Sequence, residues 1–344
     1  MNVEQRVLEL IQLSDWIKTY LAKDSGKFNQ NDLEFEQILR KSEIENPWFT
    51  QENQKLALEQ WVSLLNYSQI KQWVSKYPEN KIQKRVGLIL AGNIPMVGFH
   101  DVISVVLSNH IPIIKLSSKD KSMLPFLLKK WAEISNGNLH YEIVERLEDF
   151  DAVIATGSNN TARYLEYYFK KHHSIIRKNR TSVAVISGNE TEEELQLLAK
   201  DIFQYFGLGC RNVTRLFLPK DFLIDRIFES FIQFKEIINH NKYANNYDYN
   251  RAVYLLNQDK FWDNNFVMLK EDEKLFSPLS VINFSRYESL DEVQTYIAEN
   301  AESIQCVVSK DENIDNAVAF GEAQNPGLDT YADNVDTMEF LSVI

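Results

Sequence analysis

The sequence predicts an α/β protein of two units, each a parallel sheet with helices on both faces, preceded by a helical N-terminal segment. Three observations carry this expectation. From residue 85 onward, short β-branched apolar runs alternate with amphipathic stretches: VGLILA (86–91), PIIKL (112–116), AVIAT (152–156), SVAVI (182–186) and TRLFLP (214–219). Strands that are apolar on both faces and separated by helices belong to a doubly covered parallel sheet. The length of 344 residues exceeds what one core ordinarily organises. Residues 1–80, by contrast, show no strand pattern.

In that first segment Val3, Val7, Leu10, Ile11 and Leu13 recur at helical spacing, as do Leu56, Leu58, Trp61, Leu64 and Leu65. Trp48, Trp61 and Trp73 need a surface to cover. Helices are then expected over 97–109 and 121–134, with another opening near Asn159. A second set follows: a helix over 191–206, a Gly207-Leu208-Gly209 turn, the strand 214–219 and a helix over 222–239. Strands at 265–269, 279–284 and 304–309 alternate with helices at 289–299 and 313–322. The polar, aromatic run NHNKYANNYDYN (239–250) reads as an irregular surface connection. The expected division is 1–188, 189–318 and a tail over 319–344 that packs back near the first unit.

Composition narrows the function. Hydrophobic residues at 44% and charged residues at 25% are ordinary for a globular chain, so wholesale disorder is excluded. With 37 Lys+Arg against 49 Asp+Glu, a formal charge of −12 argues against nucleic acid as a partner. Two cysteines, Cys210 and Cys306, make no disulfide framework. The N-terminus shows no signal-peptide pattern and no run approaches the ~20 apolar residues of a membrane span, so a cytoplasmic protein is expected.

Four places could carry chemistry. Thr156-Gly157-Ser158-Asn159-Asn160-Thr161-Ala162-Arg163 joins a strand to a helix; it reads either as an ordinary capped helix start or as a phosphate-binding turn. Ala91-Gly92-Asn93-Ile94-Pro95 follows the first buried strand; it is either a plain turn or a support that points the Asn93 amide into the crevice as an oxyanion donor. Cys210, between two glycines and Arg211, is either an inert thiol or a nucleophile favoured by the neighbouring cation. Cys306, in an apolar run, reads as core. The basic run 170–180 could face phosphates or simply be solvated surface. His172 and His173 within it could serve as acid–base groups, but further ligands are lacking and no metal site is expected.

Taken in order, these elements resemble the aldehyde dehydrogenase superfamily, and more closely its acyl-CoA reductases of the bioluminescence (LuxC-like) type, from about Val86 to Leu341. The resemblance implies an aldehyde-dehydrogenase-like fold and assigns roles. Asn93 binds the oxyanion and Cys210 is the nucleophile. Lys115, with Ser117 and Ser118, lies at the adenosine ribose. Thr156, Gly157 and Ser158 form the cofactor-phosphate turn, and Phe276 of Phe276-Ser277-Pro278 faces the cofactor. The run 323–333 is similar to a tail of the acyl-CoA reductases. Three departures stand out. No carboxylate occurs over 177–180, where aldehyde oxidisers carry their water-activating Glu. Ser118 replaces an acid against the ribose, and Lys274, beside Glu273, stands where a Glu precedes Phe276.

The implied activity is reduction of an acyl-CoA, or another acyl thioester, to an aldehyde through a thioacyl-cysteine. Oxidation would need a base to activate water, whereas reduction does not. Ser118 removes a carboxylate that would repel a 2′-phosphate, and Lys115 and Lys119 would attract one; the expected cofactor is therefore NADPH, with NADH left open. A non-catalytic acyl-CoA-binding protein and a cysteine acyltransferase on the same fold are the alternatives. Superfamily members often pair through extra strands, so a homo-oligomer stays open.

Overall fold

The computed structural model describes residues 2–344 and separates the chain into two compact units, Met1–Lys178 with Gly327–Ile344, and Asn179–Pro326. The first opens with four helices: α1 (Val3–Leu21), α2 (Gln30–Glu45), α3 (Gln51–Leu64) and α4 (Tyr67–Val74). Asn2 and Asn29 start α1 and α2 as capping boxes. The strand–helix alternation then runs β1 (Arg85–Ile89), α5 (Phe99–Leu107), β2 (Ile111–Lys115), α6 (Met123–Ile134), β3 (Glu142–Ile143), β4 (Ala152–Thr156), α7 (Asn159–Phe169) and β5 (His173–Arg177). Two of the tryptophans of the first segment find their surface on α5: Trp61 meets Phe99 edge-on at 5.0 Å, and Trp73 lies 5.4 Å from the His100 ring. Phe126 of α6 stacks on Phe35 of α2 at 4.9 Å.

The second unit contains β6 (Thr181–Val185), α8 (Glu192–Phe203), β7 (Val213–Pro219), α9 (Asp225–Phe231), α10 (Asn241–Leu256), β8 (Trp262–Asp263), β9 (Met268–Glu271), β10 (Val281–Tyr287), α11 (Leu290–Glu299) and β11 (Ile304–Val308). The chain then returns to the first unit, ending in α12 (Thr337–Ser342). That return is held by polar contacts. Trp73 Nε1 donates to the Tyr331 hydroxyl at 2.7 Å, and Tyr77 hydrogen-bonds Tyr331 and Asp336. The Leu341 carbonyl lies 3.1 Å from Asn80 Nδ2 and 2.9 Å from His110 Nε2.

The five-stranded first sheet has the order β3-β2-β1-β4-β5, all parallel. The six-stranded second sheet runs β11-β6-β7-β10-β9-β8, parallel except for β8.

Several elements differ from the sequence expectation. Strand β6 pairs with β7 and β11, so the first unit ends at Lys178 rather than near 188. The returning segment begins at Gly327, while 319–326 stay with the second unit. The run 239–250 is not irregular: it forms most of α10, with Tyr243, Tyr247 and Asn250 buried along one side. No helix forms over 313–322; its backbone turns, and Val318 bridges to Val308. Part of the basic run is strand β5, which sits at the sheet edge and turns Ile175 and Arg177 inward.

Candidate active site

In the first sheet the strands step from β1 to β3 on one side and from β4 to β5 on the other. The topological switch point therefore lies between β1 and β4, where loops leaving the carboxyl ends of strands form a ligand crevice in open α/β sheets. Two of the expected segments are those loops. Half-buried Asn93 follows β1, and Thr156-Gly157-Ser158 joins β4 to α7. Ser158 caps α7, accepting from the Thr161 N–H at 3.3 Å. The Gly157 N–H donates to the Arg177 carbonyl at 3.1 Å. A Cβ at Gly157 would stand 2.9 Å from the Thr161 methyl, so the turn folds tightly against its own helix because no side chain intervenes.

The β2 loop joins the same neighbourhood. Lys115 ends β2 with its side chain exposed, and Ser117 Oγ accepts from the Lys119 N–H at 3.2 Å; Ser118 is exposed. A Cβ on Gly92 would lie 2.5 Å from Ser117 Oγ, so the Asn93 and Ser117 loops touch through bare backbone. Asp120, which the sequence did not single out, is buried beside them with Oδ1 unpartnered. Burial, with Glu45 adding repulsion, pushes its pKa up to about 6.

The basic run has structural partners. Arg177 is buried, with Nη1 2.6 Å from Asp101 Oδ2 and Nη2 donating to Thr337 Oγ1 at 2.9 Å. Lys178 pairs with Glu166 at 2.8 Å, and Arg180 donates to the carbonyls of Ala301 and Ile304. A phosphate-facing role for Arg177 is thereby excluded, because Asp101 already neutralises it. His172 packs on the Phe150 ring at 4.8 Å, and His173 begins β5.

Cys210 belongs to the second unit, in the short connection between α8 and β7. Its backbone is held from several sides. Tyr205, Phe206 and Gly207 have φ of 54°, 60° and 77°, three successive left-handed residues that end the helical stretch abruptly. Asn212 is fully buried; its amide donates to the carbonyls of Asp201, Ile202 and Gln204, while its oxygen accepts from the Gly209 N–H at 2.7 Å. Ser182 Oγ lies 3.2 Å from the Cys210 carbonyl and 3.1 Å from Cys306 Sγ. Arg211 Nε donates to the Ala323 carbonyl. Neither cysteine is in a disulfide, and burial raises the Cys306 thiol pKa.

A cavity of about 240 Å³ adjoins this connection. Phe206, Gly207, Leu208 and Gly209 line it together with the Phe276-Ser277-Pro278 turn, Tyr243 and Val267, while Cys210 follows directly after the lining residue Gly209 and is not itself part of the lining. Two motifs separated by some seventy residues of sequence are thus brought to one concavity. Asn212 and Asp201 are the supports that sequence reasoning missed. Asp201 accepts from the N–H groups of Gly321 and Ala323, and burial raises its pKa to about 6. A buried Asn two residues after a cysteine leaves no periodic signal. Among the described residues no group of three or more His, Cys, Asp or Glu gathers as metal ligands would.

The fold is that of the aldehyde dehydrogenases. A NAD-dependent aldehyde dehydrogenase from Sinorhizobium meliloti superposes with a TM-score of 0.67 at 12% identity, over 92% of this chain and 72% of that one. Aldehyde dehydrogenase 21 from Physcomitrella patens gives 0.62 at 13% identity, over 91% and 74%. Indole-3-acetaldehyde dehydrogenase AldA from P. syringae gives 0.67 at 10%, over 92% and 74%. The profile of the acyl-CoA reductase (LuxC) family matches residues 37–229, more than half of the sequence, and the chain belongs to that family. It is an oxidoreductase of aldehyde chemistry. No curated protein matches it by sequence. No helix among the described residues is long and apolar enough to cross a membrane.

Proposed function

We propose that this chain reduces an acyl-CoA to the corresponding aldehyde with NADPH, through a thioester on Cys210. The observation that carries the reading is the mounting of Cys210: a connection pinned by Asn212 and Ser182, beside a cavity that the Phe276 turn also lines. Membership of the acyl-CoA reductase family supports an acyl thioester as substrate. A nicotinamide cofactor is supported by the similar structures, one a NAD-dependent aldehyde dehydrogenase and another in complex with NAD+.

The residues of the first unit fit a dinucleotide. The strand order β3-β2-β1-β4-β5 opens a crevice at the ends of β1 and β4, and Gly92 and Gly157 let the loops there fold closely against Ser117 and Thr161. The start of α7, next to Thr156, Gly157 and Ser158, would take the phosphates. Lys115, Ser117 and Ser118 would take the adenosine ribose, and Lys115 with Lys119 would meet a 2′-phosphate; this favours NADPH. Phe276 is proposed to face the cofactor.

In the first step the Cys210 sulfur bonds to the thioester carbon, and the carbon–sulfur bond to coenzyme A breaks with loss of its thiolate, a good leaving group near its pKa of ~8.5. The carbonyl oxygen becomes negative as this happens. The Asn93 amide and the Cys210 N–H are assigned as its donors, each worth ~10²–10³ in rate. The cofactor, when bound, supplies a hydride to the acyl carbon. The same two donors then hold the second oxyanion until the carbon–sulfur bond breaks, returning the Cys210 thiolate and releasing the aldehyde. Residues 177–180 (Arg, Lys, Asn, Arg) offer no carboxylate that would activate water and waste the acyl group.

Mass spectrometry after incubation with acyl-CoA alone is expected to find an acyl adduct on Cys210. Addition of NADPH should discharge it as NADPH is consumed. Cys210→Ala should abolish both. Turnover surviving in Cys210→Ala would overturn the nucleophile. An adduct that passes to other thiols without using NADPH would identify an acyltransferase, and thermal stabilisation by acyl-CoA with no adduct a binding protein.

A further inference from the structure

Strand β7 carries a buried cation that the proposed chemistry does not use. Arg215 is almost wholly buried, and its partners are two carbonyls, a hydroxyl and two ring faces rather than a carboxylate. Nη1 donates to the carbonyls of Asp272 at 2.6 Å and Lys274 at 3.1 Å, and Nη2 to Ser285 Oγ at 2.8 Å. The guanidinium lies 4.9 Å from the Phe217 ring centre and 4.6 Å from that of Tyr296. Burying a charge is costly unless its hydrogen bonds are met, and packed apolar side chains often serve stability as well. A guanidinium in this position therefore calls for an account of what it holds.

It holds one half of a set. Five successive carbonyls are each bound by a side chain. Asp272 accepts from Arg215, Glu273 from the Tyr296 hydroxyl, Lys274 from Arg215 and Asn283, Leu275 from Thr214, and Phe276 from Asn283. Thr214 and Arg215 come from β7, Asn283 from β10 and Tyr296 from α11. The stretch is irregular, with no ladder of its own, yet its backbone is tied at every residue up to an aromatic ring that stands 37% exposed. The tethered backbone fixes the place from which Phe276 lines the cavity beside the Cys210 connection.

We propose that Arg215 and Asn283 are positioning residues that fix the Phe276 ring against the dinucleotide cofactor. This rests on the reading of Phe276 as cofactor-facing and adds what sets its position. Three variants test it: Asn283→Ala, Arg215→Met and the conservative Arg215→Lys. Hydrogen exchange at the amides of 273–277 should quicken at least tenfold in the first two, with β6 amides unchanged. The dissociation constant for NADPH, measured directly, should rise about tenfold, since small misplacements of binding groups have effects of this size or larger. Arg215→Lys, which can reach one carbonyl but not two, should fall between. The rate at which acyl-CoA alone acylates Cys210 should stay within twofold.

An unchanged NADPH constant despite a loosened turn would overturn the proposal. So would acylation falling in step with cofactor binding, the mark of general damage. Should Arg215→Met fail to fold, Asn283→Ala decides alone. Absence of any acyl adduct in the unaltered protein would instead defeat the thioacyl reading, and the exchange and binding measurements would still judge this one.

Discussion

Asp120 is buried at the β2 loop with one carboxylate oxygen unanswered and a pKa raised to about 6. A carboxyl whose folded pKa exceeds its unfolded value of 3.8 binds its proton more tightly in the folded state. The stability it contributes is full below pH 3.8 and is lost as pH rises through 6. Asp120→Asn should therefore be more stable than the unaltered protein at pH 8, by roughly 1–3 kcal/mol, and equal to it near pH 4. Denaturant midpoints at the two pH values check this; a gain of the same size at both would refute the charge argument. The cysteines differ in a related way. Burial raises the Cys306 thiol, and its Sγ sits against Ser182. Limiting iodoacetamide at pH 7.5 is expected to alkylate Cys210 well before Cys306, as read by peptide mass.

At the scale of elements, the loops after β1 and β2 meet without a side chain between them. Gly92→Ala would force Ser117 away, because the new methyl would fall 2.5 Å from its Oγ and 2.7 Å from its Cβ. Cofactor affinity should drop about tenfold or more. Gly92→Ala/Ser117→Gly, which removes the clash together with a proposed ribose contact, should regain part of it, and Gly92→Ala/Ser117→Ala less. Failure of the double variant to recover in a direct NADPH titration would separate this contact from binding. These loops were legible because apolar runs such as VGLIL and AVIAT announce buried parallel strands. Elements without that contrast were hidden. In α10 the buried face is Tyr243, Tyr247 and Asn250, which in sequence look like any polar aromatic run. In β5 one of the two inward residues is Arg177, whose burial depends on Asp101 far away in the chain. The clamp of Asn212 on the Cys210 connection was hidden for the same reason, since its partners are backbone groups, the Gly209 N–H and three carbonyls.

For the molecule as a whole, alternation of strands and helices made two α/β units readable, but not which strand belongs to which. β6 is apolar enough for either sheet, and only its pairing with β7 and β11 assigns it. The first unit is discontinuous, closed by residues 327–344. Deleting them would remove the buried Met338 and Leu341 and the partners of Trp73, Asn80 and Arg177. At ~1.5–3 kcal/mol for each buried apolar side chain, the loss should exceed ~3 kcal/mol. Hydrogen exchange should then show β1 and β4 amides unprotected while those of β7 and β10 keep their protection. Equal loss in both sets would mean the units do not fold independently.

The same return path sets an order of birth. As the ribosome extends the chain, 179–326 can close on itself before the residues that finish the earlier-made unit exist. Until then Arg177 and Asp101 have each other but lack Thr337, and His110 and Asn80 wait for a carbonyl still to be polymerised. The half translated first is the half completed last, and in the cell it is the one that would need a chaperone's shelter.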